Sequence, residues 1–320
     1  MNRLYLFTLI FFFACQNTTI LPSYSGAINE VVVVVEDNIW ESTVVDTLRR
    51  SLSAEVEGLA WKESTFDVIQ IPKAAFSRFF ETHRNIIIIQ KRDQSKIAFE
   101  PKPFSQDQWL CIIEYKTKKE LTQLLNQYAP VITYRIRQKE KSRYLSSSIG
   151  LSLSASIKDK FNTSLRLPNT FSLALDTTDF IWYEYNPKDL ELIKGVFVYS
   201  FPLPETPSAE SVLSARDSLL KQFVPGQSKE SYMSTERLYP PFISTFESNG
   251  TTSFTIKGLW KMENAFMGGP FISYVFQDTL RNKVVVTEGF LFNPGEDKRN
   301  ALQELSWLIS EAKIQQQATK

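Results

Sequence analysis

Histidine, cysteine and glycine are scarce in this chain of 320 residues. The single histidine is His83, the two cysteines are Cys15 and Cys111, and 11 residues are glycine. A histidine-based metal site needs a second imidazole, and a catalytic histidine needs a positioned partner, whereas Arg84 disfavours an imidazolium beside it. We therefore predict a structural or surface role for His83, with no metal and no cofactor.

The loops that carry common catalytic and nucleotide-binding chemistry are also absent from the sequence. It contains no Gly-x-Ser-x-Gly motif, no phosphate-cradling glycine loop and no Asp-x-Asp-x-Asp-Gly calcium loop. Serine hydrolases, nucleotidases and EF-hand proteins depend on these motifs. The sequence therefore gives no reason to expect a member of these classes, and we do not expect an enzyme.

The N-terminus carries a short apolar segment behind one basic residue. Arg3 precedes an apolar run from Leu4 to Ala14, and Cys15 follows directly. The run is too short to span a bilayer, which takes about 20 apolar residues. A basic residue, an apolar run and a small residue before cysteine are typical of a bacterial lipoprotein signal peptide. We predict removal of residues 1–14 and attachment of lipid at Cys15. The alternatives are an ordinary secretory signal or a buried N-terminal strand.

The segment after the predicted lipid anchor is polar. Residues 15–28 are rich in turn-forming residues, which predicts a flexible tether. Because it has no acidic cluster of the kind that directs some lipoproteins to the cell exterior, we expect an anchor in the outer membrane that faces the periplasm. With Cys15 lipidated, no disulfide can form. Cys111 lies in a strand-like apolar run, so we expect a buried, inert thiol.

Charge gives no reason to expect a nucleic acid partner. The chain has 36 basic and 35 acidic residues, and loss of residues 1–14 removes Arg3 and balances them. A neutral chain lacks the field that draws proteins to nucleic acid. Basic residues do cluster between Arg135 and Arg143, but Glu140 interrupts them. We interpret this segment as a solvated helix face.

Periodicity predicts an α+β fold in which mixed or antiparallel sheets are covered by amphipathic helices. The runs at 31–35 and 86–89 are continuously apolar, as in strands buried on both faces. The segment 254–260 alternates apolar and polar residues, as in a strand with one wet face. Residues 296–313 place apolar side chains at helical spacing.

The order of these segments predicts two subdomains after the signal peptide and the tether. We place an N-terminal α/β subdomain at residues 29–165, ending in a helical stretch that Pro130 bends or breaks. A β-rich C-terminal subdomain with a terminal helix follows at residues 166–320. Because each half contains strands, a helix and further strands, the two subdomains are expected to be similar.

One carboxylate stands out on an apolar strand face. Glu288 shares its face with Val284, Val286 and Phe290. A buried carboxylate must be paired or have a raised pKa, which is what a general acid needs. The alternatives are a structural ion pair with a basic residue, or a bulge at Gly289 that turns Glu288 outward.

An acidic hydrolase would need a second carboxylate beside Glu288. Asp176 and Asp179 are the candidates that the sequence offers. Glycoside chemistry requires two carboxylates about 5 to 10 Å apart in one open cleft. The hydrolase hypothesis therefore requires that Glu288 and one of these aspartates lie together in an open cleft.

An aromatic strand is the second candidate site. Phe180, Trp182 and Glu184 occupy one face of it, and Ile181, Tyr183 and Tyr185 occupy the other. If the sheet is covered on one side, one of these faces forms an exposed surface that suits a protein or glycan partner. The candidate binding residues are Phe180, Trp182, Tyr183 and Tyr185. Helices on both faces of the sheet would explain the pattern equally well.

Seven short motifs are distinctive: Ser25-Gly-Ala-Ile-Asn-Glu, His83-Arg-Asn-Ile, Tyr199-Ser-Phe-Pro, Ser231-Tyr-Met-Ser-Thr-Glu, Gly258-Leu-Trp-Lys-Met-Glu-Asn, Met267-Gly-Gly-Pro-Phe-Ile-Ser-Tyr and Glu288-Gly-Phe-Leu-Phe-Asn-Pro-Gly-Glu-Asp-Lys-Arg. With them, nearly the whole chain after the signal peptide resembles a Bacteroidota family called domain of unknown function 4837, most specifically in its C-terminal motifs. The resemblance implies an envelope lipoprotein. It supplies no catalytic residue, because no activity is assigned to that family.

Taken together, these features predict a lipid-anchored envelope protein that binds a protein or an envelope glycan without catalysis. The alternatives are a carboxylate-dependent envelope hydrolase with Glu288 as its acid, and a purely structural component of the envelope. A hydrolase requires an open cleft that holds Glu288. A structural spacer predicts neither a cleft nor an aromatic patch.

Overall fold

Two β-sheets of different topology divide the protein into two lobes. The computed structural model describes residues 21–99, 104–147, 152–248 and 250–314. Residues 21–147 form the N-terminal lobe and residues 152–314 the C-terminal lobe. The predicted signal peptide and Cys15 lie outside the described residues.

The N-terminal lobe is a five-stranded mixed sheet with helices on one face. Its elements are β1 (Glu30–Val34), α1 (Asp37–Trp40), α2 (Asp46–Leu52), β2 (Asp67–Ile71), α3 (Arg78–Glu81), β3 (Asn85–Lys91), β4 (Lys96–Phe99), β5 (Trp109–Tyr115) and α4 (Lys118–Ser147). The strand order is β2-β1-β3-β5-β4. The first four strands in this order are parallel, and β4 is antiparallel to β5. The continuous apolar runs therefore form buried strands, as predicted.

The two faces of this sheet are covered unequally. On one face, Val31, Val33 and Ile87 pack under α2 and α4 in a large apolar core. On the other face, Val32 and Ile86 pack in a small cluster. We call the second side the outer face; its partial cover includes aromatic residues from the segment 76–80.

Helix α4 continues through Pro130. It runs for 30 residues from Lys118 to Ser147, so the predicted bend or break does not divide it. Proline costs a helix one hydrogen bond, but the neighbours Ala129 and Ile132 are fully buried. Packing of this kind, more than intrinsic propensity, holds helices in proteins.

The C-terminal lobe is built around an eight-stranded antiparallel sheet. Its elements are β6 (Ser152–Leu153), α5 (Ala155–Phe161), β7 (Thr163–Ser164), β8 (Arg166–Leu167), β9 (Ser172–Asp176), β10 (Phe180–Tyr185), β11 (Ile193–Pro202), α6 (Ala209–Phe223), β12 (Tyr232–Thr235), β13 (Phe242–Ser248), β14 (Thr251–Glu263), β15 (Gly268–Asp278), β16 (Lys283–Phe292), α7 (Arg299–Ile309) and β17 (Lys313–Ile314). The strand order is β12-β14-β15-β16-β11-β10-β9, and β13 pairs with another part of β14. Helix α6 covers one face, and α5 and α7 cover the other.

The α+β class is therefore confirmed, but two details of the predicted organisation are wrong. Ile157, Phe161 and Leu165 pack into the core of the C-terminal lobe, so the lobes divide between Ser147 and Ser152 and not at residue 165. The lobes are also not similar, because one sheet is largely parallel and the other is antiparallel.

The lobes meet through polar contacts along α4 and α7. Arg299 donates to both carboxylate oxygens of Asp67, at 3.0 and 2.5 Å. Asn29, which is fully buried, donates to Asn300 and Gln303 at 2.8 and 2.7 Å. None of the helices within the described ranges combines the length and apolar character needed to cross a membrane.

Candidate functional site

A buried ion pair lies between the large antiparallel sheet and helix α6. Glu288 on β16 and Arg216 on α6 are both completely inaccessible to solvent. Arg216 Nη2 donates to Glu288 Oε1 at 2.8 Å, and Nε is 2.9 Å from Oε2. The register of β15 and β16 is regular at this point, with Glu288 opposite Ser273. The expected bulge at Gly289 is therefore absent from this pairing, and Glu288 points inward.

Neighbouring hydroxyl groups complete the hydrogen bonds of the pair. Glu288 accepts hydrogen bonds from the hydroxyl groups of Ser273 at 2.9 Å and Tyr199 at 3.3 Å. Arg216 donates to the hydroxyl group of Thr235 at 2.8 Å. The guanidinium also lies over the ring of Phe271, with its carbon 3.9 Å from the ring centroid. Burial, followed by the negative charge of Glu288, raises the pKa of the Tyr199 hydroxyl well above its usual value. The group is a closed, satisfied polar network.

This arrangement does not suit Glu288 to the role of a general acid. A general acid must reach a substrate, directly or through one water molecule. Glu288 instead uses both oxygens inside the core. The two candidates for a second carboxylate form ion pairs elsewhere. Asp176 binds Lys160 at 2.5 Å, and Asp179 binds Lys283 at 2.8 Å. The open cleft with two carboxylates that the hydrolase hypothesis demands is not formed around Glu288.

The same face of the sheet opens into a cleft beyond the C-terminal end of α6. It has a volume of about 480 Å³. Its aromatic lining comes from three different strands and one turn: Trp182, Trp260, Phe290 and Phe266. Three methionines also line it, Met233, Met262 and Met267. Methionine side chains are flexible and polarisable, so they adapt to apolar ligands of irregular shape.

Two loops form the rim of this cleft, and they bind each other. The loop after α6 includes Gly226 and Ser228, and the turn between β14 and β15 includes Phe266. Asn264 donates through its side chain to the carbonyl oxygen of Glu230 at 3.1 Å. Both residues have positive φ, at 58° and 59°, the left-handed region that asparagine tolerates better than most residues. Phe266 is fully exposed at the tip of the turn.

The cleft contains few polar groups. Glu184 is half-buried, has no ion-pair partner within the part of the chain that the structure describes, and burial raises the pKa of its carboxyl. Trp182 Nε1 is enclosed and makes no hydrogen bond with the described residues. Trp260 Nε1, in contrast, donates to the carbonyl oxygen of Leu291 at 3.2 Å. A ligand in this cleft would therefore meet largely apolar walls, the carboxylate of Glu184, the free indole donor of Trp182, and the side chains of Gln227 and Ser228.

The aromatic strand β10 does not present one exposed surface. Phe180 is fully buried and packs against Phe197, Tyr199 and Phe223 on the α6 face. This contradicts its assignment to a binding surface. The structure follows the alternative, because helices cover both faces of the sheet.

The other three predicted binding residues of this strand, Trp182, Tyr183 and Tyr185, do not lie together on one surface. Trp182 reaches the cleft. Tyr183 lies on the opposite face and hydrogen-bonds Ser154 at 2.9 Å, and Tyr185 packs near Phe171. Of the four predicted binding residues, Trp182 alone lines the cleft, and its partners there come from β11, β12, β14, β16 and the two loops.

Two further predictions concern single residues of the N-terminal lobe. Cys111 is completely buried, and burial raises the pKa of its thiol to about 12. His83 is also buried, with Nε2 3.2 Å from Glu30 and Nδ1 3.3 Å from the carbonyl oxygen of Asn85. Both residues occupy structural positions.

A second buried polar network lies in the N-terminal lobe, and the sequence did not reveal it. Glu140 on α4 accepts hydrogen bonds from Arg84 at 2.5 Å, Asn85 at 2.6 Å and Arg143 at 3.1 Å. Arg143 and Glu140 are buried, so the basic segment of α4 is not the uniformly solvated face that we predicted. The helical phase of these two residues, three apart and beside the apolar stripe, is the sequence signal that could have located them.

Comparisons with solved structures show two weak similarities. The Saccharomyces cerevisiae Ran-binding protein Mog1p is 12% identical, with a TM-score of 0.34, over 52% of this chain and 96% of its own. A STAR-related lipid transfer protein from Xanthomonas axonopodis is 12% identical, with a TM-score of 0.23, over 44% of this chain and 96% of its own. Scores of this size support no argument about fold or function. None of the curated proteins matches the chain.

Family models divide the chain where the two lobes divide. Residues 24–148 match the model of a domain of unknown function, DUF8532. The predicted resemblance to a single family along nearly the whole chain is therefore split between two families. Residues 151–310, which include the cleft and the pair Arg216–Glu288, match the model described as Domain of unknown function (DUF4837). The chain belongs to the DUF4837 family.

Proposed function

We propose that the protein is a non-catalytic binding module of the cell envelope, held by lipid at Cys15 in the outer membrane and facing the periplasm. We further propose that the cleft lined by Trp182, Trp260 and Phe290 receives an apolar side chain of an envelope protein. The cleft is the observation that carries this proposal.

The composition of the cleft favours a protein partner over a glycan. Sugar hydroxyl groups need many hydrogen-bonding partners, and the polar side chains of the cleft are few: Glu184, Gln227, Ser228 and the indole of Trp182. Aromatic and methionine side chains are enriched at the cores of protein interfaces. The exposed ring of Phe266 at the rim adds an anchor of the kind that dominates interface energies.

The closed network around Glu288 supports a non-catalytic role. Its carboxylate is committed to Arg216, Ser273 and Tyr199, and its position in the core keeps substrate away. The cleft itself holds Glu184 without a neighbouring carboxylate or histidine among its lining residues. A purely structural spacer would not need a cleft with a free carboxylate.

In-cell photocrosslinking tests the proposal. A photoreactive phenylalanine analogue is placed at Phe266, on the rim of the cleft. A matched control carries the analogue at Leu280, which is 69% exposed at the opposite end of β15. We expect one recurrent envelope protein to be captured from position 266 and not from position 280. Equal capture at both positions, or no capture at either, would contradict the proposal.

The anchor is tested separately. Cells that make the protein are labelled with a tagged fatty acid, and the Cys15→Ser chain serves as the comparison. We expect the label in the unchanged chain and none in the variant. Equal labelling of the two chains would remove the anchor from the proposal without affecting the cleft.

A further inference from the structure

Residues 21–28, the described part of the segment after the proposed anchor, lie on the N-terminal lobe instead of forming a free tether. Ser25 donates its backbone N–H to the carbonyl oxygen of Thr82 at 2.9 Å, and Arg84 donates its N–H to Ser25 at 2.9 Å. The predicted tether at 15–28 is therefore wrong for the described part, residues 21–28.

The side chain of Tyr24 fixes this segment more firmly. The guanidinium groups of Arg84 and Arg143 both contact its ring, each at 5.1 Å from the ring centroid. Both guanidinium groups also bind the buried carboxylate of Glu140. Cation–π contacts with partly buried arginines are favourable. The path of the chain from residue 21 onward is therefore set by the fold.

This path brings Leu21, the first residue that the structure describes, to a defined point on the lobe. The backbone N–H of Gln106 donates to Pro22 at 2.8 Å, and its side chain donates to Leu21 at 2.6 Å. Six residue steps separate Leu21 from Cys15. An extended chain spans at most about 3.6 Å per residue, so Leu21 lies within about 22 Å of a lipidated Cys15.

An exposed aromatic surface lies at the same point. We call it the aromatic edge, and it consists of Phe76, Phe79, Phe80 and Phe104. The rings of Phe76 and Phe104 are 5.8 Å apart, and those of Phe79 and Phe80 are 5.1 Å apart. Phe79 is 76% exposed. Phe76 and Phe80 also pack on the outer face of the sheet.

Hydrogen bonds connect the aromatic edge to the point where Leu21 enters. Ser105 donates to the carbonyl oxygen of Thr82 at 3.3 Å, and Gln108 donates to that of Glu81 at 2.7 Å. The segment 104–108, which binds Leu21, therefore also binds the end of α3. The aromatic edge and the chain entry belong to one surface of the lobe.

Basic residues accompany the aromatic edge. Lys73 and Arg78 are exposed, and neither forms an ion pair with the residues that the structure describes. Glu81 is the acidic side chain on α3. Exposed aromatic rings with basic neighbours are typical of surfaces that lie in the headgroup region of a membrane.

We propose that the aromatic edge contacts the bilayer that holds the lipid of Cys15. This inference depends on the lipidation proposed above. The anchor makes the contact intramolecular, so a weak interaction of a few exposed rings is sufficient to orient the lobe. Phe79 lies in the headgroup region, and the N-terminal lobe rests on the membrane instead of moving freely above it.

Fluorescence quenching in vesicles tests the orientation. Phe79→Cys is labelled with an environment-sensitive fluorophore, and Leu238→Cys, at a residue 83% exposed in the other lobe, is the matched control. The buried thiol of Cys111 does not compete for the label. The full lipidated chains are reconstituted in vesicles of phosphatidylethanolamine and phosphatidylglycerol that contain a spin-labelled phospholipid.

We expect at least a twofold loss of fluorescence at position 79 and little loss at position 238. Equal fluorescence changes at the two positions would overturn the proposal and indicate that the aromatic edge awaits another partner, such as a protein. Intact mass measurement of the same samples separates the two proposals. A chain without acyl groups overturns the anchor and this orientation together, whereas an acylated chain without preferential quenching overturns the orientation alone.

Discussion

Arg216 contacts both carboxylate oxygens of Glu288 inside the core, although the two residues are 72 positions apart in sequence. Neither side chain is exposed to solvent. Burial by itself lowers the pKa of Arg216, but the charge and hydrogen bonds of Glu288 outweigh it, so the net pKa is raised. Helix α6 is thereby fixed on the sheet by a charged contact as well as by apolar packing.

We expect Glu288→Ala to reduce the free energy of unfolding by about 3 to 5 kcal/mol, because it leaves the charge of Arg216 buried without a partner. The double variant Arg216→Met, Glu288→Met should lose much less, since a pair of apolar residues avoids that cost. Urea unfolding of this double variant and of the single variants Arg216→Met and Glu288→Met completes a double-mutant cycle. Additive losses would show that the pair is not coupled.

Gly195 provides space for an aromatic ring. A Cβ atom at this position would lie 1.8 Å from the ring of Phe290. We expect Gly195→Ala to lower the free energy of unfolding by about 1 to 3 kcal/mol, the usual cost of overpacking a core. Adding Phe290→Leu should recover part of this loss in thermal unfolding. If the double variant is less stable than Gly195→Ala, the steric explanation is wrong.

Glu184 should affect stability in a pH-dependent way. Burial raises the pKa of its carboxyl above the usual 4.5, so the folded protein favours the protonated form more than the unfolded chain does. Ionisation of Glu184 therefore opposes folding above the usual pKa. The contribution of the protonated carboxyl to the stability of the folded protein is complete only below that pKa. We expect Glu184→Gln to raise the melting temperature at pH 7 and to have little effect at about pH 3. A larger effect at acid pH would contradict this sign.

The thiol of Cys111 should be unreactive in the folded protein. Burial raises its pKa from 9.0 to about 12, so the thiolate that reacts with disulfide reagents is scarce at neutral pH. Because the folded-state pKa is raised, this group's contribution to stability is complete below pH 9 and falls as the pH rises toward 12. We expect labelling of the Cys15→Ser chain by a disulfide reagent at pH 8 only after urea is added. Rapid labelling without urea would show that the site opens.

Tyr24→Ser should release the segment that carries the anchor. The variant loses the ring that contacts Arg84 and Arg143, so we expect faster proteolysis near residue 24 with little change in the melting temperature. Tyr134→Ser is the control, because Tyr134 is an exposed tyrosine of α4. Equal proteolysis of the two variants would show that Tyr24 does not hold the segment.

Much of the fold could be predicted because local patterns decide it. The apolar runs at 31–35 and 86–89 could pack only as strands covered on both sides, and the inward face of β16 followed from alternation alone. The start of α4 is also decided locally, because Glu120 donates its N–H to the side-chain oxygen of Thr117 at 3.3 Å. These features depend on neighbours that are close in sequence.

The cleft and both polar networks could not be predicted in the same way. The alternation of side chains along β10 placed Trp182 on one face of the strand. Whether that face is covered depends on α6, which comes from residues 209–223 and packs on Phe180. Glu140 meets Arg84 and Asn85 only because β3 begins beneath α4. Contacts between residues far apart in sequence leave no periodic signal that a single chain displays.

The sequence by itself determined the α+β class, the strand face that Glu288 shares with apolar residues and the segment in which Cys111 is buried, because each depends on the spacing of apolar residues along one element. Only the tertiary structure decided that Glu288 pairs with Arg216, that Trp182 lines a cleft, and that Tyr24 contacts two arginines. The physical reason is that charge pairing, enclosure and solvent access depend on which distant elements the fold brings together.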